Sequence, residues 1–154
     1  MVEWTELIIL DDLKLCLVAS KLGLQSVRFQ PLGQEGDRND SNELLSQAAN
    51  ELRDYFMGKL RVFYVPLDMQ GTDFQLSVWN CLRKIPYGET RSYAQIAEEI
   101  GKPKAVRAVG AANGSNPIPI IVPCHRVLAS NGIGGYGGGL PMKRTLLAVE
   151  GVTA

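Results

Sequence analysis

Cys124 and His125 are adjacent at the end of a proline-punctuated apolar run, residues 116–127. A thiolate is a polarisable nucleophile, and a neighbouring imidazole can take its proton directly or through a water. The same run favours burial, however, and a thiol in apolar surroundings normally has a raised pKa and is inert. Adjacent side chains also often point apart, so His125 could be a satisfied core histidine. The residue types allow a nucleophilic site or an inert core.

The other cysteines, Cys16 and Cys81, offer no further site chemistry. Three cysteines form an odd set without Cys-x-x-Cys spacing, and His125 is the only histidine. These facts argue against a disulfide framework and against a zinc knuckle. We therefore predict no metal and no cofactor, a reducing cytoplasmic location, and small buried side chains at Cys16 and Cys81.

The composition is that of a folded chain. Its 154 residues are 45% hydrophobic, which is enough for one compact domain or two small ones and excludes disorder. No run of eighteen apolar residues occurs, and Glu3 and Glu6 stand where a secretion signal would have basic residues. We expect neither secretion nor a membrane partner.

Charge is distributed unevenly although the formal net charge is zero. Residues 1–71 carry 7 Lys and Arg against 11 Asp and Glu, whereas residues 72–154 carry 9 against 5. The first half therefore has a net charge of minus four and the second a net charge of plus four, so a polyanion could bind to the second half only. Chance alone could also produce such an imbalance.

The first half predicts a small antiparallel sheet with a helix. Apolar residues alternate within residues 6–29, with breaks at 11–12 and 21–23. Residues 31–39 predict a loop, and Asp40 with Glu43 resembles a capping box for a helix to Phe56 that stops at Gly58. The packing stripe of this helix comprises Leu44, Leu45, Ala48, Leu52, Tyr55 and Phe56.

The second half is predicted to be mostly helical, and we place the domain boundary near Gly71, giving domains 1–71 and 72–154. Thr72 can cap a helix to about Lys84 that is followed by a turn at 86–88. Ser92 and Gln95 form a capping box for a short helix to Ile100. The fold class is therefore α+β.

A third helix is predicted over 104–113, ending at Gly114, after a turn of about three residues. Two short helices joined in this way have the outline of a helix-turn-helix, although many helical hairpins only pack. The third helix is rich in small side chains, with Arg107 as its long basic residue in mid-helix. Small residues permit close approach either to another helix or to the wall of a DNA groove.

The segment Pro123-Cys124-His125-Arg126-Val127, with Asn116-Pro117 upstream, resembles the active-site signature of the O6-alkylguanine-DNA alkyltransferases. Further motifs agree in order and spacing, so the resemblance is continuous from about Thr72 to Gly151, whereas the first half matches only in its general layout. These motifs are 85–90 with Ser92-Tyr93, 107–110, 131–139 and 146–151.

The resemblance implies a protein that acts once. Attack on the saturated carbon of an O6-alkyl group suits a thiolate, and the thioether that forms has no carbonyl for water to attack. In the family, the matching histidine deprotonates the cysteine through a water, and a glutamate orients the histidine. The matching positions are His125 and Glu150, which would otherwise be a core histidine and a surface charge.

The resemblance also implies how DNA is handled. Tyr93 matches a tyrosine that donates towards the leaving guanine and helps to rotate its phosphate. Arg107 matches an arginine that fills the space left by the extruded nucleotide. Apart from this resemblance, Tyr93 could be an ordinary half-buried aromatic residue and Arg107 a solvated charge on the helix surface. The helix would enter the minor groove, where its DNA-facing residues are Val106, Arg107, Ala108 and Gly110.

The remaining positions are carried over as a hinge and a base pocket. Asn116 matches an asparagine that ties the helix-turn-helix to the active-site loop. Arg126 is expected to make internal hydrogen bonds. Gly137 stands where serine is common in the family, and the loop 131–139 is one residue shorter than in some relatives. The expected pocket comprises Gly114, Val127, Tyr136, Gly137 and Gly138.

Two other functions remain as alternatives. A non-catalytic relative would bind alkylated DNA and flag it, but that class replaces the cysteine, which is present here as Cys124. A cysteine hydrolase would use Cys124 and His125 on a small substrate and would need no DNA-facing helix. We predict a monomer whose partner is double-stranded DNA containing O6-alkylguanine.

Overall fold

A computed structural model describes residues 2–29 and 36–153. The chain falls into two compact units, Met1–Gln70 and Gly71–Ala154. The division lies one residue before the boundary drawn from the sequence. The observed α+β architecture is the predicted fold class, with a sheet and a helix first and mostly helices afterwards.

The first unit contains a four-stranded sheet in the order β3-β2-β1-β4. Its strands are β1 Glu3–Ile9, β2 Leu13–Ala19, β3 Leu24–Arg28 and β4 Asp37–Arg38. The first three pair antiparallel as predicted, with turns at the breaks read from the sequence. The loop prediction for 31–39 is wrong at β4, which pairs parallel with β1. Residues 31–35 of that loop lie outside the described residues.

Helix α1, Glu43–Phe56, packs one face against the first three strands. The buried face consists of Leu45, Ala48, Ala49, Leu52, Tyr55 and Phe56. Leu44, which we had included, is only half-buried. The predicted capping box at Asp40 is also wrong, because Asn42 is the N-cap and accepts from the Leu45 N–H. The Asp40 carboxylate instead accepts from Thr5 and Arg38.

The second unit contains four helices and a two-strand parallel ladder. These elements are α2 Asp73–Leu82, β5 Arg91–Ser92, α3 Tyr93–Glu99, α4 Val106–Gly114, β6 Val127–Leu128 and α5 Leu140–Val149. A single 3₁₀ turn, Cys124–Arg126, immediately precedes β6; we call it the active-site turn because it contains the predicted nucleophile Cys124. Strand β5 pairs with β6, so the start of α3 lies beside the end of the active-site turn.

The caps of α2 and α3 are confirmed. Thr72 and Ser92 each accept from the backbone of the third helical residue, and Gln75 and Gln95 complete the two capping boxes. Helix α2 ends at Leu82, two residues before the predicted end.

Helix α4 differs more from the prediction than α2 does. It begins at Val106 rather than Lys104, and its N-cap Ala105 makes no side-chain cap. The connection between α3 and α4 therefore has six residues, 100–105, instead of about three. Within it, Ala105 N–H donates to the Lys102 carbonyl, so Lys104 and Ala105 belong to this turn and not to the helix predicted to begin at Lys104.

Candidate active site

The segment that leads to Cys124 is a rigid buried loop. Ile118, Ile120 and Val122 are fully buried, and prolines 117, 119 and 123 fix the backbone between them. Ile120 adopts φ of 75°, a conformation that a β-branched residue rarely adopts and that the packing around it must hold. Cys124, the first residue of the 3₁₀ turn, is 4% exposed. The loop thus fixes the thiol in a largely dry position.

His125 is fully buried and paired with Glu150. Its Nε2 lies 2.6 Å from Glu150 Oε2. An ionised carboxylate can only accept, so Nε2 carries the proton and donates, and Nδ1 carries the lone pair. The carboxylate therefore selects the tautomer in which Nδ1 can receive a proton. The sequence placed these two residues together only through the family resemblance.

Glu150, the C-cap of α5, accepts several other hydrogen bonds. Arg126 donates from Nε to Oε1 at 2.8 Å and from Nη2 to Oε2 at 3.1 Å, and Gly88 N–H donates to Oε1 at 3.1 Å. The remaining Arg126 nitrogen, Nη1, donates to the Ile85 carbonyl at 2.7 Å. Arg126 is thus wholly engaged inside the protein, as expected. The segment 85–88, which includes the turn predicted at 86–88, holds the carboxylate and its Arg126 partner in place.

Burial lowers the pKa of His125 although Glu150 opposes this effect. The guanidinium of Arg126 already balances the Glu150 charge, and Arg126 and Lys143 disfavour a third cation nearby. We therefore take the resting imidazole as neutral, which is the state that a proton acceptor requires.

Burial raises the pKa of the Cys124 thiol to about 11. The side chains of Asn116 and Tyr136 and the charge of Lys143 act to lower the pKa of the thiol but do not outweigh burial. The resting residue is therefore a thiol, and it needs a local base to react near neutral pH. This accords with the inertness expected of a cysteine in an apolar run, and it gives His125 a chemical task.

Lys143 on α5 is a fully buried cation that sequence reasoning missed. Its Nζ donates to the Val127 carbonyl at 2.7 Å and to the Gly135 carbonyl at 3.0 Å. Burial lowers the pKa of its ammonium to about 8, while Cys124 acts in the opposite direction. Lys143 ties the end of the active-site turn to the following loop. The only signal in the sequence was a lysine among apolar residues of the last helix.

Two asparagines hold the active-site loop. Asn116 accepts from the Ile118 N–H and donates to the Val122 carbonyl at 2.8 Å, so these bonds close the loop on itself. A second link to the turn comes from Asn113 on α4, whose Nδ2 donates to the Cys124 carbonyl at 3.3 Å. Asn113 was not predicted as a site residue, because we read it only as the end of a helix.

Tyr93, the first residue of α3, lies against the loop 133–139. Burial raises the pKa of the Tyr93 hydroxyl, and a backbone hydrogen bond from Gly135 opposes this effect. A side chain at Gly134 would be strained, because its φ is 77° and a Cβ there would lie 3.1 Å from the Tyr93 hydroxyl oxygen. Glycine at this position therefore allows the loop to lie close against the tyrosine.

A cavity of about 170 Å³ lies between α3, α4 and this loop. Its lining residues are Tyr93, Gly110, Asn113, Gly114, Gly135, Tyr136 and Gly137. The predicted pocket residues Gly114, Tyr136 and Gly137 are among them, whereas Val127 and Gly138 are not. Val127 is buried with its carbonyl bound to Lys143, and Gly138 is half-buried in the loop.

The exposed side of α4 carries the residues predicted to meet DNA. Val106, Arg107 and Ala108 are exposed, while Gly110 is half-buried at the cavity. Arg107 makes no hydrogen bond or ion pair with any residue that the structure describes. The opposite side, with Val109 and Ala112, packs into the unit. In the described part of the chain no helix could cross a membrane, and no three potential metal ligands are grouped together.

Comparison with known proteins covers both units. Residues 73–152 match the 6-O-methylguanine DNA methyltransferase DNA binding domain, and residues 14–69 match the ribonuclease-like domain of the same methyltransferases. A methylated-DNA--protein-cysteine methyltransferase of Methanosarcina acetivorans is 49% identical over 140 residues, which are 88% of this chain and 90% of the relative. The chain belongs to the 6-O-methylguanine DNA methyltransferase family.

Other members of this methyltransferase family agree. The enzyme of that name from Mycobacterium tuberculosis is 59% identical over 106 residues, or 68% of this chain and 64% of the relative. The crystal structure of the O6-methylguanine methyltransferase of M. tuberculosis has a TM-score of 0.89 and 45% identity, with 97% of this chain and 93% of that chain covered. A crystal structure of the M. tuberculosis protein in complex with DNA has the same TM-score at 42% identity.

Proposed function

We propose that this protein repairs DNA by moving an alkyl group from O6 of guanine to the sulfur of Cys124. The observation that carries the proposal is the connection between the thiol and the cavity. Asn113 and Tyr136 both line the cavity; Asn113 donates a hydrogen bond to the Cys124 carbonyl, and the Tyr136 side chain acts to lower the pKa of the Cys124 thiol. A base held in this cavity would have the nucleophile beside it.

The protein's own groups supply each step. The Cys124 proton passes to Nδ1 of neutral His125 through a water, while Glu150 and Arg126 stabilise the imidazolium that forms. The thiolate attacks the alkyl carbon, a carbon–sulfur bond forms, and the carbon–oxygen bond breaks with its electron pair going to O6. Tyr93 donates towards the guanine as this charge develops, and the guanine finally carries the proton that left the thiol.

The product explains why the protein would act once. The thioether on Cys124 lacks an electrophilic carbonyl, so water cannot release the alkyl group. The M. tuberculosis relative has been crystallised with DNA, and this chain presents the small exposed residues of α4 together with Arg107. Binding in the minor groove with the damaged nucleotide turned outwards would bring guanine to the cavity.

The test is the fate of the DNA. A duplex with one O6-methylguanine should be converted to unmodified guanine in an amount equal to the protein added, and the reaction should then stop. Cys124→Ala should bind the duplex and restore none of it. Binding without restoration by the unaltered protein would indicate a protein that only flags the lesion, and continued turnover of a small ester without DNA would indicate a hydrolase.

We also propose that the protein acts as a monomer in a reducing, cytoplasmic setting. All three cysteines are free thiols, and one monomer holds the whole set of proposed catalytic groups. Light scattering coupled to size exclusion should give the mass of a single chain, and a dimer mass in dilute solution would contradict the monomer.

A further inference from the structure

The chain contains two Asn-Gly pairs, Asn113-Gly114 and Asn131-Gly132. Such a pair is chemically labile, because glycine has no side chain to keep its backbone nitrogen away from the carbon of the asparagine amide. The nitrogen can attack this carbon only where the two atoms are free to approach each other and where water can follow. The two pairs lie in different surroundings, so the fold decides which of them can react.

The first pair is protected by helix α4. Asn113 is 4% exposed, and its Nδ2 donates to the Cys124 carbonyl, so its amide is held in a fixed direction. Gly114 is the last residue of α4, and a helical N–H points back along the helix towards the carbonyl four residues earlier. The Gly114 nitrogen is therefore directed away from the amide carbon, and little water can reach the pair.

The second pair lies in an exposed turn that follows β6. Asn131 and Gly132 are both exposed, and the Asn131 side chain makes no hydrogen bond with any residue that the structure describes. The Gly132 N–H donates to the Ala129 carbonyl at 3.3 Å, which is longer than the roughly 2.9 Å of a good bond of this type. No described atom lies within 4 Å of the position that a Cβ would take at Gly132. The turn therefore has room to open and is held only weakly.

We propose that Asn131 is a site of spontaneous deamidation. The Gly132 nitrogen forms a bond to Cγ of Asn131, the bond from Cγ to Nδ2 breaks, and Nδ2 leaves as ammonia with the proton that the Gly132 nitrogen loses. The product is a cyclic imide. Water then opens the imide at one of its two carbonyls, which gives aspartate or isoaspartate at position 131.

Isoaspartate at this position would alter the link between β6 and the loop 133–139. It adds one carbon to the main chain and places a carboxylate in the turn. Beyond the turn, the Gly135 carbonyl accepts from Lys143, and Tyr136 lines the cavity. Because both contacts depend on where the loop lies, the isoaspartate form should transfer the alkyl group more slowly. This consequence rests on the function proposed above, whereas the deamidation itself does not.

The first test compares the two pairs within one protein. The folded protein is incubated in mildly alkaline buffer, and peptide mapping by mass spectrometry follows the conversion of each asparagine to aspartate and isoaspartate. Conversion should accumulate at Asn131 and not at Asn113, whereas in urea both residues should convert at similar rates. Equal conversion of the two residues in the folded protein, or none at Asn131, would overturn the proposal.

Gly132→Ala tests the route of the reaction. The added Cβ hinders the approach of the backbone nitrogen, so conversion of Asn131 should be roughly tenfold slower. The variant should keep the stability of the unaltered protein, because the position of the Cβ is open and the backbone at Gly132 is not in the left-handed region. Equal rates of conversion in the variant and the unaltered protein would rule out attack by the Gly132 nitrogen.

The effect on alkyl transfer is measured on the incubated protein. Single-turnover kinetics with a methylated duplex should show a slow phase whose amplitude equals the fraction of chains with isoaspartate. Asn131→Ala, incubated in the same way, should keep the single phase of the fresh protein. A single unchanged phase in a sample that contains isoaspartate would overturn the effect on transfer. Absence of transfer by the fresh protein would instead contradict the proposed function and leave the mass measurement at Asn131 unaffected.

Discussion

At the scale of single residues, Cys124 combines a protonated resting state with a nearby proton acceptor. Burial raises the pKa of the thiol to about 11 and lowers the pKa of His125 below its ordinary value. The two shifts act together, because the thiol keeps its proton until the reaction and the imidazole stays neutral and can then accept that proton. Premature oxidation of the thiol is thereby disfavoured as well.

This pairing predicts the pH dependence of the transfer rate. If the proton moves within the site, the rate constant should be nearly independent of pH from about 6.5, the ordinary pKa of histidine, to about 8, where Lys143 loses its charge. In His125→Gln solvent must ionise the thiol, so the rate constant should rise about tenfold per pH unit over this range. A tenfold rise per unit in the unaltered protein would contradict the role of His125.

Glu150 predicts a large effect on stability. Glu150→Gln preserves shape but removes the charge that compensates the buried guanidinium of Arg126. Removing one partner of a buried ion pair costs about 3–5 kcal/mol in the free energy of unfolding. Urea denaturation measures the loss. Glu89→Gln at the exposed pair with Arg91 is the control and should cost at most about 1 kcal/mol. Equal losses of unfolding free energy in the two variants would contradict the stabilising role of the buried Glu150–Arg126 pair.

At the scale of elements, the second unit positions its functional side chains at the ends of helices and strands. Tyr93 opens α3 directly after β5, Cys124 opens the turn before β6, and Glu150 closes α5. Parallel pairing of β5 with β6 brings the first two together although they are about thirty residues apart in the chain. Residues in the middle of the helices mainly supply the packing that fixes these ends.

The N-cap of α3 gives a prediction at this scale. Ser92→Ala removes the hydroxyl that accepts from the Gln95 N–H and should destabilise the protein by about 1 kcal/mol. Because Tyr93 is the next residue, the transfer rate should fall as well. Ser41→Ala, an exposed serine before α1, serves as the control. Thermal unfolding and the transfer rate should both be unchanged in the control and both altered in Ser92→Ala; unchanged values in both variants would contradict the role of the cap.

The cap predictions for the second unit, which depend on interactions between residues close together in the chain, were confirmed, whereas features that depend on contacts between distant segments were missed. The caps at Thr72 and Ser92 depend on a side chain and a backbone group three residues apart, and both are confirmed. The start of α4 was misplaced because no side chain caps it. Strand β4 was missed because it exists only through pairing with β1, more than thirty residues away.

The site shows the same division. Cys124 and His125 could be singled out from their types and adjacency, and the family motif supplied Glu150 and Tyr93. Lys143 and Asn113 could not be found, because their importance depends on carbonyl groups of distant segments that the fold brings to them. A short-range pattern does not encode such contacts.

At the scale of the whole molecule, charge and burial together define the surface of the second unit. Two of its basic residues, Arg126 and Lys143, and one of its acidic residues, Glu150, are buried and contribute little to this surface. Seven basic residues remain at least partly exposed against four acidic ones, so this unit stays basic on its surface. The asymmetry seen in the sequence therefore survives folding and favours a polyanionic partner for this unit.

Arg107 is the exposed residue whose loss should affect duplex DNA most specifically. Arg107→Ala should slow transfer from a methylated duplex by more than it slows transfer from free O6-methylguanine, because only the duplex requires an extruded nucleotide to be replaced. Lys59→Ala, a basic residue of the first unit, is the control and should slow neither reaction. Equal losses on the duplex and the free base would contradict the role of Arg107 in extrusion.

The most direct test of the account is the mass of the protein after reaction with a duplex that contains O6-methylguanine. We predict a gain of one methyl group per chain, located on Cys124 by peptide mapping, complete at one equivalent and stable on further incubation. Cys124→Ala should gain no mass under the same conditions. A methyl group on another residue, or transfer that persists in Cys124→Ala, would contradict the central claim.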